Sequence, residues 1–292
     1  MMRVGRWIVV IGGLVLAWFA LANSPAWAAE HIEGTPNPIE HVVDVAILKV
    51  GRFKIFTKYM ILEAIAAGLI IAIYVPVAKR AQSGEPPKGA FQNLFEILLT
   101  FVRDDIAKPN LGEHDADRYV PFLWTIFLFI LFCNLLGLVP YAGSPTANIY
   151  MTGGMALCAF FAIHGSAIAK MGVGHYVKSM WPHLDIPIWG VSFGINLLVC
   201  IIDIGGNLIK NSVLAVRLFA NMLGGHAALA MIMLFILMTA GQALGLWITV
   251  TFSSIAGAFF LNLLELLVAT LQAYIFVFLT ALFMGMAIHP PH

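Results

Sequence analysis

Long apolar runs separated by short polar breaks dominate the chain. The runs from Tyr59 to Val77, from about 119 to 139 and from about 149 to 169 are each close to the roughly 20 helical residues that cross a ~30 Å hydrocarbon core. Two further runs, about 188 to 239 and 245 to 288, are much longer. Because the runs are continuous and do not alternate in polarity, they predict helices and not the strands of a membrane barrel. We therefore expect an all-α polytopic membrane protein.

The two long runs exceed what a perpendicular crossing needs. The break between them, Thr239 to Gln242, is weak, and the second run ends only at the terminal sequence His289 to His292. Each run either breaks into two spans or forms one strongly tilted helix. The pattern leaves both possibilities open for the two long runs. The shorter runs are expected to form two to three near-perpendicular spans.

Residues 91 to 106 show a different pattern, with apolar residues at helical spacing and polar residues on the opposite face. This predicts an amphipathic helix lying along the cytoplasmic membrane surface. The sequence Lys108-Pro109-Asn110 predicts its end, since proline disrupts a helix interior. The apolar face comprises Phe91, Leu94, Phe95, Leu98, Val102 and Ile106.

The first residues resemble a targeting segment. Arg3 and Arg6 precede an apolar run, which is followed by Ala26-Trp27-Ala28. This pattern is typical of a signal peptide over residues 1 to 28, although an uncleaved first transmembrane helix is the alternative. Residues 29 to 58 would then be an extracytoplasmic N-terminal segment, and residues 59 to 292 a single membrane-embedded domain.

The distribution of cations predicts the orientation. Cytoplasmic loops of membrane proteins are enriched in Lys and Arg, and such residues follow the first and third spans, whereas the loop PYAGSPTAN has none. We therefore expect the mature N-terminus and this loop outside, and residues 79 to 118, 170 to 187 and the C-terminus in the cytoplasm. The cations that do not fit this scheme precede the first span: Lys49, Arg52, Lys54 and Lys58.

Composition narrows the function further. Hydrophobic residues make up 61% of the 292 residues and charged residues 11%, against about 25% charged in an average soluble domain. A net charge of +1 gives no basic patch for nucleic acid, and no phosphate-binding glycine loop or zinc spacing occurs. The three cysteines lie in apolar runs and are expected to be core residues. We expect no metal, cofactor or nucleic-acid partner.

A polar stripe interrupts the first long run. From residue 186 onward the formally charged side chains are Asp203, Lys210, Arg217 and Glu265. At 3.6 residues per turn, one helix face would carry Asp203, Asn207, Lys210, Arg217, Asn221 and Gly224. A charge at the centre of a membrane helix costs roughly 2.5 to 3.5 kcal/mol, so this face should meet water or a protein partner. For Lys210, snorkelling to the interface is the alternative.

The second long run has a thinner polar face, formed by Asn262, Glu265, Ala269 and Gln272. His226 and Glu265 are plausible cross-helix partners, because each would otherwise be a costly polar group in hydrocarbon. A satisfied packing residue is the alternative for His226.

Four stretches carry a family resemblance. The sequences VLAVRLFANMLGGH and LELLVATLQAYIF resemble the two signatures of the a-subunit of F-type ATP synthases, and FCNLLGLVPY and the SPTAN loop are similar to other parts of it. The resemblance covers the chain from about residue 55 onward. It implies a non-catalytic helical subunit of the bacterial inner membrane, whose last two helices form a long tilted hairpin against a rotating c-ring. Its other implied partners are the peripheral-stalk b-subunits and lipid.

The resemblance also implies roles for single residues. Arg217 matches the family's essential arginine, which would act as an electrostatic gate towards a carboxylate on each c-subunit. Arginine is not deprotonated in proteins, so its charge and not a proton would act. The resemblance implies two half-channels for an ion, expected to be a proton, with no other small-molecule substrate. The choice between proton and sodium depends largely on the c-subunit carboxylate, so this chain leaves it open. The polar residues expected to line them are Asn221, His226, Glu265, Gln272, Asp203, Lys210 and Asn207.

Two other classes of protein could place charges in a membrane. A secondary transporter binds its substrate near the midplane, but it usually shows paired internal repeats and broken helices, and no repeat occurs in this sequence. A purely structural scaffold would not explain charges gathered on two helix faces.

Overall fold

The structure, a computed structural model, describes residues 46–50, 53–82, 89–139, 143–174, 176, 189–239 and 243–289. The predicted signal peptide over 1 to 28 lies outside the described residues. Within them, five helices are long and apolar enough to cross a membrane. The all-α polytopic class is therefore confirmed.

Three helices of moderate length and two long ones account for the five. Helix α1 spans Lys58–Gln82, α4 spans Glu113–Gly137, and α5 spans Ile149–Met171. Helix α6 runs without a break over Trp189–Thr239, and α7 over Leu244–Ile288. At 1.5 Å per residue, α7 is roughly 70 Å long, more than twice a ~30 Å hydrocarbon core. The possibility that each long run breaks into two spans is therefore wrong.

A short β-hairpin precedes α1 and was not predicted from the sequence. Strand β1, Ala46–Val50, pairs antiparallel with β2, Phe53–Thr57, with Val50 opposite Phe53. Both strands are rich in β-branched and aromatic residues, which favour extended backbone. Gly51 and Arg52 separate them in the sequence. The extracytoplasmic location of this segment stays a prediction.

The predicted amphipathic helix is present in three pieces. Helix α2, Ala90–Phe101, is followed by a π-helical turn, Val102–Ala107, and by α3, Lys108–Leu111. The predicted end at Lys108-Pro109-Asn110 is wrong by a short margin. Pro109 lies in the first turn of α3, where its missing N–H is not needed. The segment ends at Gly112, which takes a positive φ of 79°.

The described part of the chain comprises two compact units. The first contains described residues up to Pro76, together with Leu128–Gly154 and Arg217–Ala273. Its buried residues include Ile130 on α4, Leu218 and Met222 on α6, and Ala269 on α7. Small residues such as Ala269 let neighbouring helices pack closely.

The second unit contains Val77–Phe127, Met155–Val216 and Tyr274–His292. Val102 and Ile106 of the π-helical turn, Leu123 of α4 and Phe276 of α7 are buried there. The Trp124 indole N–H donates to the Leu99 carbonyl oxygen at 2.8 Å, which fixes α2 against α4. Leu94 and Ile97 of α2 are exposed, so part of its apolar surface remains available to a membrane. Its placement on the cytoplasmic surface stays a prediction.

Candidate functional site

The candidate site belongs to the first unit. There α6 and α7 carry polar residues on the sides that face each other and on their outer sides. Leu218 and Met222 of α6 are buried, whereas Ala220, Asn221 and Gly224 are exposed. The continuous helix preserves the 3.6-residue spacing on which the predicted stripe depends. Small and polar side chains therefore follow Arg217 on the outward side of α6, whereas the exposed residues just before it, Val213 and Val216, are apolar.

Arg217 is half-buried. Within the ranges that the structure describes, no hydrogen bond or ion pair of its guanidinium to another side chain of this chain occurs. A fixed positive charge in an apolar helix needs a polar or anionic neighbour. Because α6 turns Ala220 and Asn221 outward beside it, the geometry allows such a neighbour to come from another molecule.

Asn221 and Gln272 link the two helices. The Asn221 side-chain amide N–H donates to the Gln272 side-chain oxygen at 2.8 Å. Gln272 is 1% exposed, whereas Asn221 is exposed. This partly buried side-chain hydrogen bond favours one rotation of the two helices, because breaking it would leave the buried Gln272 oxygen without its donor. Asn221 lies one helical turn beyond Arg217, so the bond connects α7 to the turn of α6 next to the arginine.

His226 and Glu265 form the second link. The His226 Nδ1 atom lies 3.7 Å from Glu265 Oε1, and Glu265 is only 4% exposed. The predicted proximity of these two residues is confirmed. A separation of 3.7 Å is longer than a direct hydrogen bond but short enough for a water-bridged contact or a charge interaction.

Gly225 makes room for the carboxylate of Glu265. A Cβ atom at position 225 would lie 2.7 Å from Glu265 Oε1, so any larger residue there would force the end of the Glu265 side chain to shift. Among the described residues, neither carboxylate oxygen accepts a hydrogen bond. The site thus places a buried carboxyl beside an imidazole, the two side-chain types most used to hand on protons.

The other predicted half-channel residues belong to the second unit or lie outside the described side chains. Lys210 is exposed, and its ammonium lies 5.6 Å from the centre of the Phe283 ring, within the range of a cation–π contact. Asn207 is half-buried, and its backbone carbonyl accepts a hydrogen bond from the Asn211 side chain at 3.0 Å. Asp203 falls within α6, but its side chain lies outside the described residues.

The pattern of polar and apolar residues did not reveal a buried polar network in the first unit. Asn134 of α4 donates to the backbone carbonyl oxygen of Ala269 and accepts from Thr146, which in turn contacts Ser144. The pattern also did not reveal Glu63, a buried acid on α1. The signal was available in both cases, since a single polar residue within an apolar run is costly unless it has a partner.

The second unit holds an ion-pair cluster, defined by Arg103, Asp115, Asp117, Lys170 and His289. Arg103 donates two hydrogen bonds to Asp117, at 2.8 and 3.1 Å. Asp115 Oδ2 lies 2.5 Å from Lys170 Nζ and 3.3 Å from His289 Nε2. Beside Asp117, the pKa of Arg103 is raised above its ordinary value, chiefly by the hydrogen bond. These charges are matched within the chain.

Metal chemistry has no visible support in this part of the molecule. Within the described ranges, no three His, Cys, Asp or Glu side chains gather closely enough to hold a metal ion. Cys133 is buried and Cys158 is partly buried, and both are free thiols.

Comparison with known proteins places this geometry in context. Residues 60–285 match the family described as ATP synthase A chain. The chain is 35% identical to the ATP synthase subunit a of Myxococcus xanthus, over 90% of this chain and 80% of that protein. It is 37% identical to the ATP synthase subunit a of Chloroherpeton thalassium, over 86% and 72% respectively. The match covers all the helices that carry the candidate site.

Proposed function

The chain belongs to the ATP synthase subunit a family, and on that premise we propose that it forms two aqueous half-channels against a rotating c-ring, with Arg217 as the electrostatic gate. Membership makes it a proton-transporting membrane subunit of ATP synthase. The observation that carries the finer proposal is the polar surface of α6 and α7. There a half-buried Arg217 stands beside exposed small residues, close to the linked side chains of α7.

The proposed gating role of Arg217 follows from the permanent positive charge of its guanidinium. The arginine keeps its proton, so it cannot carry protons along the path. A c-subunit carboxylate passing at roughly 4 Å would be attracted by about 4 kcal/mol at an effective dielectric near 20, which favours release of its proton. The same positive charge repels a proton moving directly between the half-channels. The gate therefore couples proton flow to movement of the ring.

The His226–Glu265 pair is proposed as the proton relay of the outer half-channel. An imidazole and a carboxyl 3.7 Å apart can exchange a proton directly or through one water molecule. Asn221, Gln272, Asp203, Lys210 and Asn207 are proposed as polar lining of the half-channels. The Asn221–Gln272 hydrogen bond would keep the relay and the gate in fixed register on the two helices.

The partners and orientation are part of the same proposal. The exposed surface around Ala220 and Gly224 is suited to the c-ring, because small residues permit close helix approach. Peripheral-stalk b-subunits and lipid would cover other apolar surfaces. The relatives are bacterial and the apolar helices make this a multi-pass membrane protein. We propose that its mature N-terminus is outside and its C-terminus cytoplasmic.

Orientation can be tested by cysteine labelling. Tyr150 lies in the first turn of α5 and Val173 lies just beyond its last residue, and they are 44% and 63% exposed. In a chain without its native cysteines, Tyr150→Cys should react with an impermeant maleimide from outside and Val173→Cys from the cytoplasmic side. Labelling of both from one side would contradict the proposed topology.

A secondary transporter is less compatible with the structure. Transporter sites are typically formed by helices that break near the midplane. Helices α6 and α7, which carry the candidate site, are continuous from Trp189 to Thr239 and from Leu244 to Ile288.

The direct test is ATP-driven proton pumping in inverted membrane vesicles that contain the complete synthase. Arg217→Ala should abolish pumping while the subunit still inserts and assembles, as judged by the amount of synthase that is purified. Pumping at near the parent rate would contradict the gate.

A further inference from the structure

Three side chains of the first unit form a buried hydrogen-bonded chain that ends on α7. Thr146 Oγ1 donates to Asn134 Oδ1 at 2.7 Å, and Asn134 Nδ2 donates to the Ala269 carbonyl oxygen at 3.0 Å. Ser144 Oγ lies 2.7 Å from Thr146 Oγ1. Because Thr146 donates its single hydroxyl hydrogen to Asn134, the hydroxyl of Ser144 must be the donor to Thr146 Oγ1. The direction of the whole chain is therefore fixed.

The burial of these groups makes the chain costly to break. Ser144, Thr146 and Asn134 are all 0% exposed. A buried polar group that loses its partner retains the full cost of leaving water, and bonds in such a chain strengthen one another. The loop before α5, which contains Ser144 and Thr146, is also packed tightly against α4, since a Cβ at Gly137 would lie 2.5 Å from Ser144 Cβ. The loop, α4 and α7 are thus held in one arrangement.

The end point on α7 is significant. Ala269 lies one helical turn after Glu265 and shortly before Gln272, and both of these side chains make polar contacts with α6. Ala269 also packs in a buried cluster with Ala147 of the loop and Met222 of α6. The hydrogen-bonded chain therefore holds α7 between its two polar contacts.

The chemistry of the chain argues against a role as a proton path. A hydroxyl can pass a proton on, but the Asn134 side-chain amide would have to give up a proton from nitrogen to do so. The chain then ends at a backbone carbonyl, which has no onward donor. Its groups are suited to fixing geometry and not to conducting.

We propose that Ser144, Thr146 and Asn134 form a positioning clamp that sets the register of α7, and thereby the placement of Glu265 and Gln272 opposite His226 and Asn221. This rests on the proposed function of those four residues. The clamp residues themselves neither receive nor release the transported proton.

Thr146→Val tests the clamp, because valine keeps the shape of threonine and removes the hydroxyl. Thr146→Ser keeps the hydroxyl and should restore the parent behaviour. Thr152→Val is a matched control: Thr152 is also 0% exposed in the first unit, but its hydroxyl contacts only the backbone oxygens of Asn148 and Ile149. Ser144→Ala removes only the first donor and serves if Thr146→Val fails to assemble.

Two measurements are made on the assembled synthase in a chain without native cysteines. Pulsed electron paramagnetic resonance gives the distance distribution between spin labels at Tyr150→Cys and Leu271→Cys, both at exposed positions. Proton pumping per assembled complex is measured in the same variants without labels. With Thr146→Val the distribution should shift or broaden and pumping should fall about fivefold or more, whereas Thr146→Ser and Thr152→Val should match the parent.

Three results would overturn the clamp. They are an unchanged distance distribution with reduced pumping, a changed distribution with full pumping, and no change in either. The first of these would place the hydroxyl on the proton path. The distance measurement does not depend on the gate, so failure of the proposed function, seen as pumping by Arg217→Ala, is distinguishable from failure of the clamp.

Discussion

Charged residues in the two units are accommodated in opposite ways. In the ion-pair cluster of the second unit, Arg103 meets Asp117, and Asp115 meets Lys170 and His289, with the Arg103 and Asp117 side chains largely exposed. In the first unit, Arg217 has no such counterpart among the described residues, and His226 and Glu265 meet at a longer distance in a buried place. Charges that stabilise a fold are matched within the chain, whereas those of the candidate site leave room for an external partner.

The largest difference in pumping between the two units is expected for an arginine-to-lysine substitution, which keeps the positive charge. Arg217→Lys is expected to lose most ATP-driven pumping, because an ammonium lacks the planar fork of the guanidinium and is more strongly hydrated. The equivalent change Arg103→Lys should leave pumping near the parent rate. Pumping in inverted vesicles measures both, and a fully active Arg217→Lys would show that charge alone suffices.

The next largest effect concerns the buried pair. His226→Ala and Glu265→Ala should each slow proton flux strongly, since each removes one half of the relay. The exchange His226→Glu with Glu265→His should recover part of the flux, because an imidazole and a carboxyl again occupy the two neighbouring positions. Losses that simply add, with no recovery in the exchange, would show that the two residues do not act together.

A moderate effect is expected at the Asn221–Gln272 hydrogen bond. Asn221→Ala and Gln272→Ala should each reduce pumping severalfold, and the double variant should be little worse than either single one. Gln272 is almost fully buried, so Gln272→Ala should also lower the free energy of unfolding by about 1 kcal/mol. A double-mutant cycle on both quantities checks this, and strictly additive effects would contradict a direct link.

The smallest effect on pumping should come from the packing of the second unit. A Cβ at Gly285 would overlap the Asn110 carbonyl oxygen, so Gly285→Ala should destabilise by about 1 to 3 kcal/mol. Pumping per assembled complex should stay near the parent value. Gly153→Ala is the control, because a Cβ there meets nothing within 4 Å. Equal thermal unfolding temperatures for the two variants would refute the predicted close contact.

The sequence predicted the spans well because their lengths and hydrophobicity are set directly by the bilayer. It also predicted that His226 and Glu265 meet, since each is costly in hydrocarbon without a partner. It could not decide whether each long run breaks internally, because two short spans and one strongly tilted helix place the same number of apolar residues in the bilayer.

Other features depend on tertiary contacts that periodicity does not reveal. The end of α3 at Gly112 depends on a positive φ, and Pro109 is tolerated because it falls in a first turn. The clamp joins Thr146 to Asn134 and Asn134 to Ala269, residues far apart in sequence. Neither SPTAN nor FCNLLGLVPY indicates by itself that the two stretches meet. The roles of the half-channel residues stay predictions.

The role of the Arg217 charge is tested most directly by one paired measurement. Coupled pumping and passive proton permeability are recorded side by side for Arg217→Ala and Arg103→Ala vesicles with equal amounts of assembled synthase. Arg217→Ala should show no coupled pumping with a proton leak at or above the parent level, while Arg103→Ala should resemble the parent in both, since an exposed ion pair contributes only about 0 to 1 kcal/mol. Near-parent pumping by Arg217→Ala would contradict the electrostatic gate.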